Sequence, residues 1–308
     1  MKMETTTYYS NGKLLITGEY LVLDGANAFA LPTQLGQSLI ISEGQNQEVQ
    51  WTSYDSDGSI WFEDRISFFE IVNYAITDIE TVKTTLIRIL YQAYLVNPTF
   101  IQQNKGYNIQ TKLTFAREWG LGTSSTLINN IAQWLKIDAF ELLNTSFGGS
   151  GYDVACAQYN SPITYRLKNG KPIIQQIVFQ PSFTNHIFFV YLNKKQSSKT
   201  AITNYKINKN KGLSTNIQNV NQLTEEVIQS STIAQFSKAL VTHESQMSLI
   251  LETTTVKELL FNDFNGSIKS LGAWGGDFIM VTSTENPTAY FVEKGYTIIF
   301  EYDDLILS

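Results

Sequence analysis

Gly120-Leu121-Gly122-Thr123-Ser124-Ser125 runs into apolar residues at Leu127, Ile128, Ile131, Leu135 and Ile137. Recurrence every three to four residues predicts a helix that starts within the hydroxyl run. Glycines at 120 and 122 let the backbone turn tightly and approach a ligand closely. Thr123, Ser124 and Ser125 can cap the helix, whose first N–H groups favour an anion. Their hydroxyls also suit contact with phosphate oxygen or Mg²⁺. Taken alone, the same residues fit a tight turn entering a capped helix. No lysine follows the glycines as in a P-loop, and the third glycine of a dinucleotide fingerprint is missing.

Two further glycine loops lie downstream. Gly148-Gly149-Ser150-Gly151-Tyr152 leads into Asp153, a carboxylate able to orient or deprotonate a hydroxyl beside accessible backbone. An idle turn explains it equally. Leu271-Gly272-Ala273-Trp274-Gly275-Gly276-Asp277 precedes an apolar strand pattern over 278–282, where a hairpin or bulge is the plainer account. Upstream, Lys13 follows Gly12. Its ammonium can neutralise phosphate or depress a neighbouring hydroxyl, although most lysines are merely exposed.

Working outward, residues 8–16 read as a strand broken at Asn11-Gly12, residues 19–23 as extended, and Asp24-Gly25 as a hairpin turn. Residues 38–51, 59–62, 107–115, 186–192 and 296–302 read as strands. The spacing predicts a helix over 79–96, ended by Asn97-Pro98, and helices over 223–240 and 244–261. The polar run 193–218 reads as a solvated or mobile loop with room for a short helix. This order predicts an α+β fold in two lobes, 1–182 and 183–308.

With 22 basic against 28 acidic residues, the net charge is −6, which argues against a nucleic-acid partner. A local nest of backbone N–H groups can still bind phosphate in an acidic protein. The single cysteine, Cys156, excludes an intrachain disulfide and a cysteine-cluster metal site. His186 and His243, far apart, fit structural or surface roles. Residues 1–7 lack the apolar stretch of a signal peptide, and no run approaches the ~20 apolar residues of a membrane span. A cytoplasmic protein without a membrane partner is expected, as a monomer or homodimer.

Taken in order, four segments resemble the GHMP kinases, the superfamily of galactokinase, homoserine kinase, mevalonate kinase and phosphomevalonate kinase. Gly12-Lys13-Leu14-Leu15-Ile16-Thr17-Gly18-Glu19-Tyr20-Leu21-Val22-Leu23 looks like the first motif, with wording that leans toward phosphomevalonate kinases. Residues 120–125 resemble the central phosphate loop, 149–155 the segment carrying the catalytic aspartate, and 269–277 the third glycine motif. Departures are Ser10-Asn11 for the common Ala-Pro, Arg117-Glu118 before the central loop, Thr123 for serine, and Trp274 and Asp277 in the third motif.

The resemblance implies an N-terminal ribosomal-protein-S5-domain-2-like lobe and a C-terminal ferredoxin-like lobe, with ATP and a small-molecule substrate between them. It implies catalytic roles for Asp153 and Lys13, and ATP-phosphate binding by Gly120, Leu121, Gly122, Thr123, Ser124 and Ser125. Glu19, Ser150, Gly272, Ala273, Trp274, Gly275 and Gly276 would bind substrate, and Ser124 and Glu141 would ligate Mg²⁺. The implied reaction is phosphoryl transfer from ATP to a small acidic metabolite, phosphomevalonate ahead of mevalonate, in isoprenoid precursor synthesis. Diphosphomevalonate decarboxylase is the alternative enzyme, and a catalytically silent GHMP-fold binding protein the non-enzymatic one.

Overall fold

The computed structural model describes residues 5–76, 79–196, 198–207 and 212–307. The first four residues, part of the signal-peptide reading, and parts of the run 193–218 lie outside these. Contacts group the chain into two units: residues 1–12, 35–117 and 122–158, and residues 13–34, 118–121 and 159–308. The division is interleaved rather than a single cut at 182, because strands β1 (Thr5–Thr17) and β2 (Ala28–Glu43) each contribute to both. β1 runs unbroken through Asn11 and Gly12, which are buried, so the expected interruption is absent. Residues 19–23 are not extended either: a 3-10 helix, Leu21–Asp24, ends at Gly25 in a left-handed conformation (φ 92).

In the first unit the expected strand over 38–51 is two. β2 turns into β3 (Glu48–Tyr54), followed by β4 (Ile60–Ser67) and later β5 (Tyr107–Leu113). Their order is β4-β3-β5-β2, with β3 parallel to β5 and the other pairs antiparallel. Leu39, Ile41, Val49, Trp51 and Ile109 of the sheet pack with two amphipathic helices. Val82–Val96 supplies Leu86, Ile89 and Leu90; Thr123–Leu135 supplies Ile128, Ile131 and Leu135. Each such side chain removed from water contributes roughly 1.5–3 kcal/mol. Thr81 caps the first helix through Thr84, which starts it three residues later than its periodicity suggested.

A buried polar network anchors helix Thr123–Leu135. Asn130 Nδ2 donates to Gln37 O at 2.9 Å and its Oδ1 accepts from Ser10 Oγ at 2.8 Å. Asn129 Nδ2 donates to Ser10 Oγ at 2.8 Å, and Thr126 Oγ1 to Gln37 Oε1 at 3.0 Å.

The second unit pairs Ala28–Ala30 of β2 with β6 (Ile163–Lys168), which pairs in turn with β7 (Lys171–Gln176). It also holds an antiparallel sheet of β8 (Ile187–Tyr191), β9 (Ser267–Ser270), β10 (Phe278–Thr282) and β11 (Ile299–Glu301), in the order β11-β8-β10-β9. β8 and β10 are buried along their whole length, hence their unbroken apolar sequence. The polar run holds two helices, Ser198–Ile207 and the start of Leu213–Gln229, which bury Tyr205 and Val220 with Met247. Helix Ile233–Leu251 is capped by Thr232, whose side chain accepts from Gln235 N, so the helix break falls eleven residues before the expected one. Among the described residues, no helix is long and apolar enough to cross a membrane.

Four ionisable side chains are sealed inside this unit. Lys269 bonds Glu19 Oε1 and lies 3.3 Å from Glu244 Oε2. Glu244 also accepts from Ser270 N at 3.1 Å and from Ser270 Oγ at 2.7 Å. Gly18 N donates to His243 Nε2 at 3.1 Å, which assigns the neutral ring's proton to Nδ1. Burial pushes the Glu19 carboxyl up to about 7 against the pull of Lys269. Burial and the Lys269 charge hold His243 well below its usual range. Burial opposes the Lys269 charge too, but the two carboxylates outweigh it and raise its pKa.

Two expectations follow. Asn130→Ala orphans the buried Gln37 carbonyl and removes the acceptor of Ser10, so urea unfolding should show a loss of roughly 2–3 kcal/mol. The second concerns pH. A carboxyl raised on folding stabilises most below its unfolded value, and that contribution fades as pH climbs through its folded value, about 7 for Glu19. The melting temperature of the wild type is therefore expected to fall relative to Glu19→Gln between about pH 5 and pH 8. A constant difference across that range would contradict the buried-acid assignment.

Candidate active site

Lys13 stands near the end of β1, half-buried. Its main-chain N–H donates to Leu121 O at 3.0 Å and its Nζ donates to Gly120 O at 2.7 Å. The expected lysine and the first half of the glycine loop are therefore brought together. Gly120 (φ 69) lies against Asp277: a Cβ there would come within 2.5 Å of the Asp277 Cγ, so no larger residue fits. Asp277 Oδ1 accepts from Gln196 N at 3.1 Å. Burial raises the Asp277 pKa, with that hydrogen bond and the Lys13 and Lys195 charges opposing.

The third motif surrounds the same carboxylate. Gly272 and Gly275 are left-handed (φ 63 and 78), and Trp274 and Asp277 adopt φ 43 and 51 without being glycine. A Cβ on Gly276 would sit 2.6 Å from Lys194 O and 2.5 Å from Gln196 Cγ, which makes glycine obligatory. Ala273 and Trp274 line a cavity of about 440 Å³ together with Tyr20, Tyr205, Ile250 and Gln196. The Trp274 ring lies largely buried, with Lys269 Nζ 5.5 Å from its centroid, an arrangement that couples the cavity wall to the ionic cluster.

Glu19 requires a correction. It was expected to bind substrate, yet only 1% of it is exposed, its Oε1 is bonded to Lys269, and it lines no part of that cavity. Desolvation makes an unpaired carboxylate there costly, so the chain gave it a cation instead of a ligand.

In the first unit, helix Thr123–Leu135 starts differently from its expected capping. Gly122 (φ 104) occupies the N-cap position and no side chain caps the helix. Ser125 Oγ donates to Gly122 O at 2.9 Å, and Thr126 Oγ1 lies 3.0 Å from both the Gly122 and Thr123 carbonyl oxygens. The Ser124 hydroxyl is exposed and makes no hydrogen bond among the described residues. An uncapped first turn presents N–H groups and the positive end of the helix dipole, which suits phosphate.

Thr123 and Ser124 also line a cavity of about 340 Å³ with Trp51, Trp61, Thr81 and Phe147. Trp61 carries the Arg117 guanidinium 4.9 Å from its ring centroid, and its Nε1 is buried without an acceptor among the described residues. Sequence reading missed this wall. Its residues come from four distant segments, and only Phe147, exposed directly before Gly148, offered a local hint.

Asp153 is half-buried in the first turn of the short helix Tyr152–Gln158, after Gly148, Gly149 and Gly151 at φ 72, 112 and 88. Ser150 is half-buried in the same loop. Glu141 is exposed on helix Ala139–Ser146 and lines a separate cavity with Gln92 and Asp138, not the one that Ser124 lines. Nothing in its surroundings joins it to Ser124 as a metal ligand. No group of three or more His, Cys, Asp or Glu that could hold a metal occurs among the described residues. A cation bound mainly by phosphate oxygens needs no such group, so hydroxyl and carboxylate donors at the loop remain a fit for Mg²⁺.

No protein-family model matches the sequence, and no curated protein matches it. Solved structures do. The mevalonate kinase of Methanococcus jannaschii aligns with a TM-score of 0.72 at 16% identity, covering 100% of both chains. Streptococcus pneumoniae phosphomevalonate kinase, in complex with phosphomevalonate and AMPPNP, aligns at 0.68 and 14%, covering 98% of each. Lactococcus lactis galactokinase complexed with galactose aligns at 0.68 and 12%, covering 94% of this chain and 88% of its own. Along essentially its whole length, this chain has the fold of the GHMP kinases.

Proposed function

We propose that this protein is an ATP-dependent small-molecule kinase whose acceptor is a small acidic metabolite, phosphomevalonate ahead of mevalonate. The observation that carries this reading is the uncapped start of helix Thr123–Leu135 beside an aromatic-walled cavity of about 340 Å³, a volume within the usual range of ligand pockets. The fold shared with small-molecule kinases supports it, as does the ordered set of four motifs.

In this reading the nucleoside occupies that cavity, against Trp61 and Phe147. Its phosphates meet the N–H groups of Thr123, Ser124 and Ser125, while glycine at 122 keeps a side chain out of the way. Phosphoryl transfer needs positioning and charge neutralisation more than covalent help from the protein. Lys13, oriented by the Gly120 carbonyl, supplies fixed positive charge at the loop. Asp153 orients the acceptor oxygen, a phosphate oxygen in phosphomevalonate or the hydroxyl in mevalonate, and takes a proton only where that oxygen carries one. Ser124 offers a free hydroxyl to Mg²⁺, which when bound neutralises the phosphate oxygens. The preference for phosphomevalonate rests on the wording of the first two motifs.

The test is incubation with ATP, Mg²⁺ and, separately, mevalonate, phosphomevalonate and diphosphomevalonate, with ADP followed and products weighed by mass spectrometry. Phosphate gained by one of the first two acceptors is expected. CO₂ released from diphosphomevalonate would instead identify a decarboxylase, and ATP binding without turnover of any acceptor would reject the pathway assignment. Asp153→Asn is expected to lower turnover by roughly 10²–10⁴-fold while leaving the circular dichroism spectrum unchanged; near-normal turnover in the folded variant would remove Asp153 from the reaction.

A further inference from the structure

Asp277 sets a carboxylate directly on the glycine loop. A Cβ at Gly120 would lie 2.5, 2.6 and 2.8 Å from its Cγ, Oδ2 and Oδ1, and one at Gly272 would lie 3.7 Å from Oδ2. Two left-handed glycines thus leave the space that this side chain fills. The residue is itself held at φ 51, by its N–H on Lys194 O at 2.6 Å and by Leu192 N on its carbonyl at 2.8 Å. Aspartate enters this conformation more readily than most non-glycine residues, and here these two hydrogen bonds hold it there. Oδ1 is occupied by Gln196 N, whereas Oδ2 accepts no hydrogen bond among the described residues.

A triphosphate arriving at this loop adds several negative charges beside that carboxylate. Like charges so placed repel strongly, and more so where water is partly excluded. Lys13 and Lys195 bring two positive charges, still fewer than carboxylate and triphosphate together require. Mg²⁺ binds through one or two carboxylates with phosphate oxygens completing its shell, and Oδ2 is an oxygen donor of that kind. Glu141, the acidic ligand implied by resemblance, is exposed and lines a different cavity.

We propose that Asp277, and not Glu141, is the carboxylate ligand of the divalent cation that accompanies the nucleotide. This rests on the reading of residues 120–125 as a nucleotide-phosphate loop.

The experiment is calorimetric titration with the non-hydrolysable analogue AMPPNP, in Mg²⁺ and in EDTA, on the full chain. In the wild type Mg²⁺ is expected to tighten binding by roughly tenfold or more. In Asp277→Asn, binding in EDTA should be tighter than in the wild type, because the repulsion is gone, and the Mg²⁺ effect should shrink to below about threefold. Mn²⁺ bound with the analogue should give its ordered EPR spectrum in the wild type and lose it in the variant. Asp277→Gly, which suits the left-handed backbone, provides the same readings if the asparagine variant folds poorly. A folded variant that keeps the full Mg²⁺ effect overturns the proposal, as does loss of that effect in Glu141→Gln instead. Binding of AMPPNP to the wild type in neither condition would remove the phosphate-loop reading itself, so the two failures are told apart.

Discussion

The Lys269 ammonium has no access to water, and its position governs much of the second unit. Glu19 and Glu244 hold it from segments far apart in the chain: Glu19 lies within the first motif, Glu244 belongs to helix Ile233–Leu251, and Lys269, on β9, opens the third motif. Removing one partner of such a buried set costs about 3–5 kcal/mol, because a charge is left uncompensated. Gly18 adds a backbone link to the neutral ring of His243. Where the first and third motifs stand is therefore settled by one cation and its two carboxylates.

Strain gathers around that point. Tyr20, next to Glu19, has φ 59, and Trp274 and Asp277, a few residues beyond Lys269, have φ 43 and 51. A left-handed backbone costs an aromatic residue free energy that the neighbouring contacts must offset. The ion pair, the Lys269–Trp274 contact and the tilted Tyr20–Tyr205 pair supply those contacts. The result is a cavity wall in which the Trp274 and Tyr20 rings are held by contacts within the same unit.

The elements proposed to bind phosphate offer backbone more than side-chain charge, so a net charge of −6 poses no obstacle to that proposal. Gly120 is required by Asp277 and Gly276 by Lys194 O and Gln196, so these glycines are spaces as much as turns. In the first unit the corresponding rigidity comes from amides. Asn129, Asn130 and Gln37 spend their hydrogen bonds on holding helix Thr123–Leu135, whose first turn has no side-chain cap.

Much of this was legible in the residues alone. The glycine loops, the apolar periodicity behind Thr123, the strand patterns of β5, β8 and β10, and the stop at Asn97-Pro98 follow from local sterics and from the helical and strand repeats, which act over a few residues. The helices within the polar run 193–218 were legible only as room for a short one, because burying Tyr205 and Val220 against Met247 stabilises a segment whose own composition is indifferent. Capping by Gly122 rather than by a hydroxyl was hidden: Ser125 and Thr126 satisfy loop carbonyls, a choice that depends on the backbone already being turned. By itself the sequence determined where the chain can turn sharply and which stretches can coil or extend. Only the tertiary structure decided which acid meets which partner, Glu19 with a lysine 250 residues away and Asp277 with the bare face of Gly120. Burial and long-range packing, not spacing, make that choice.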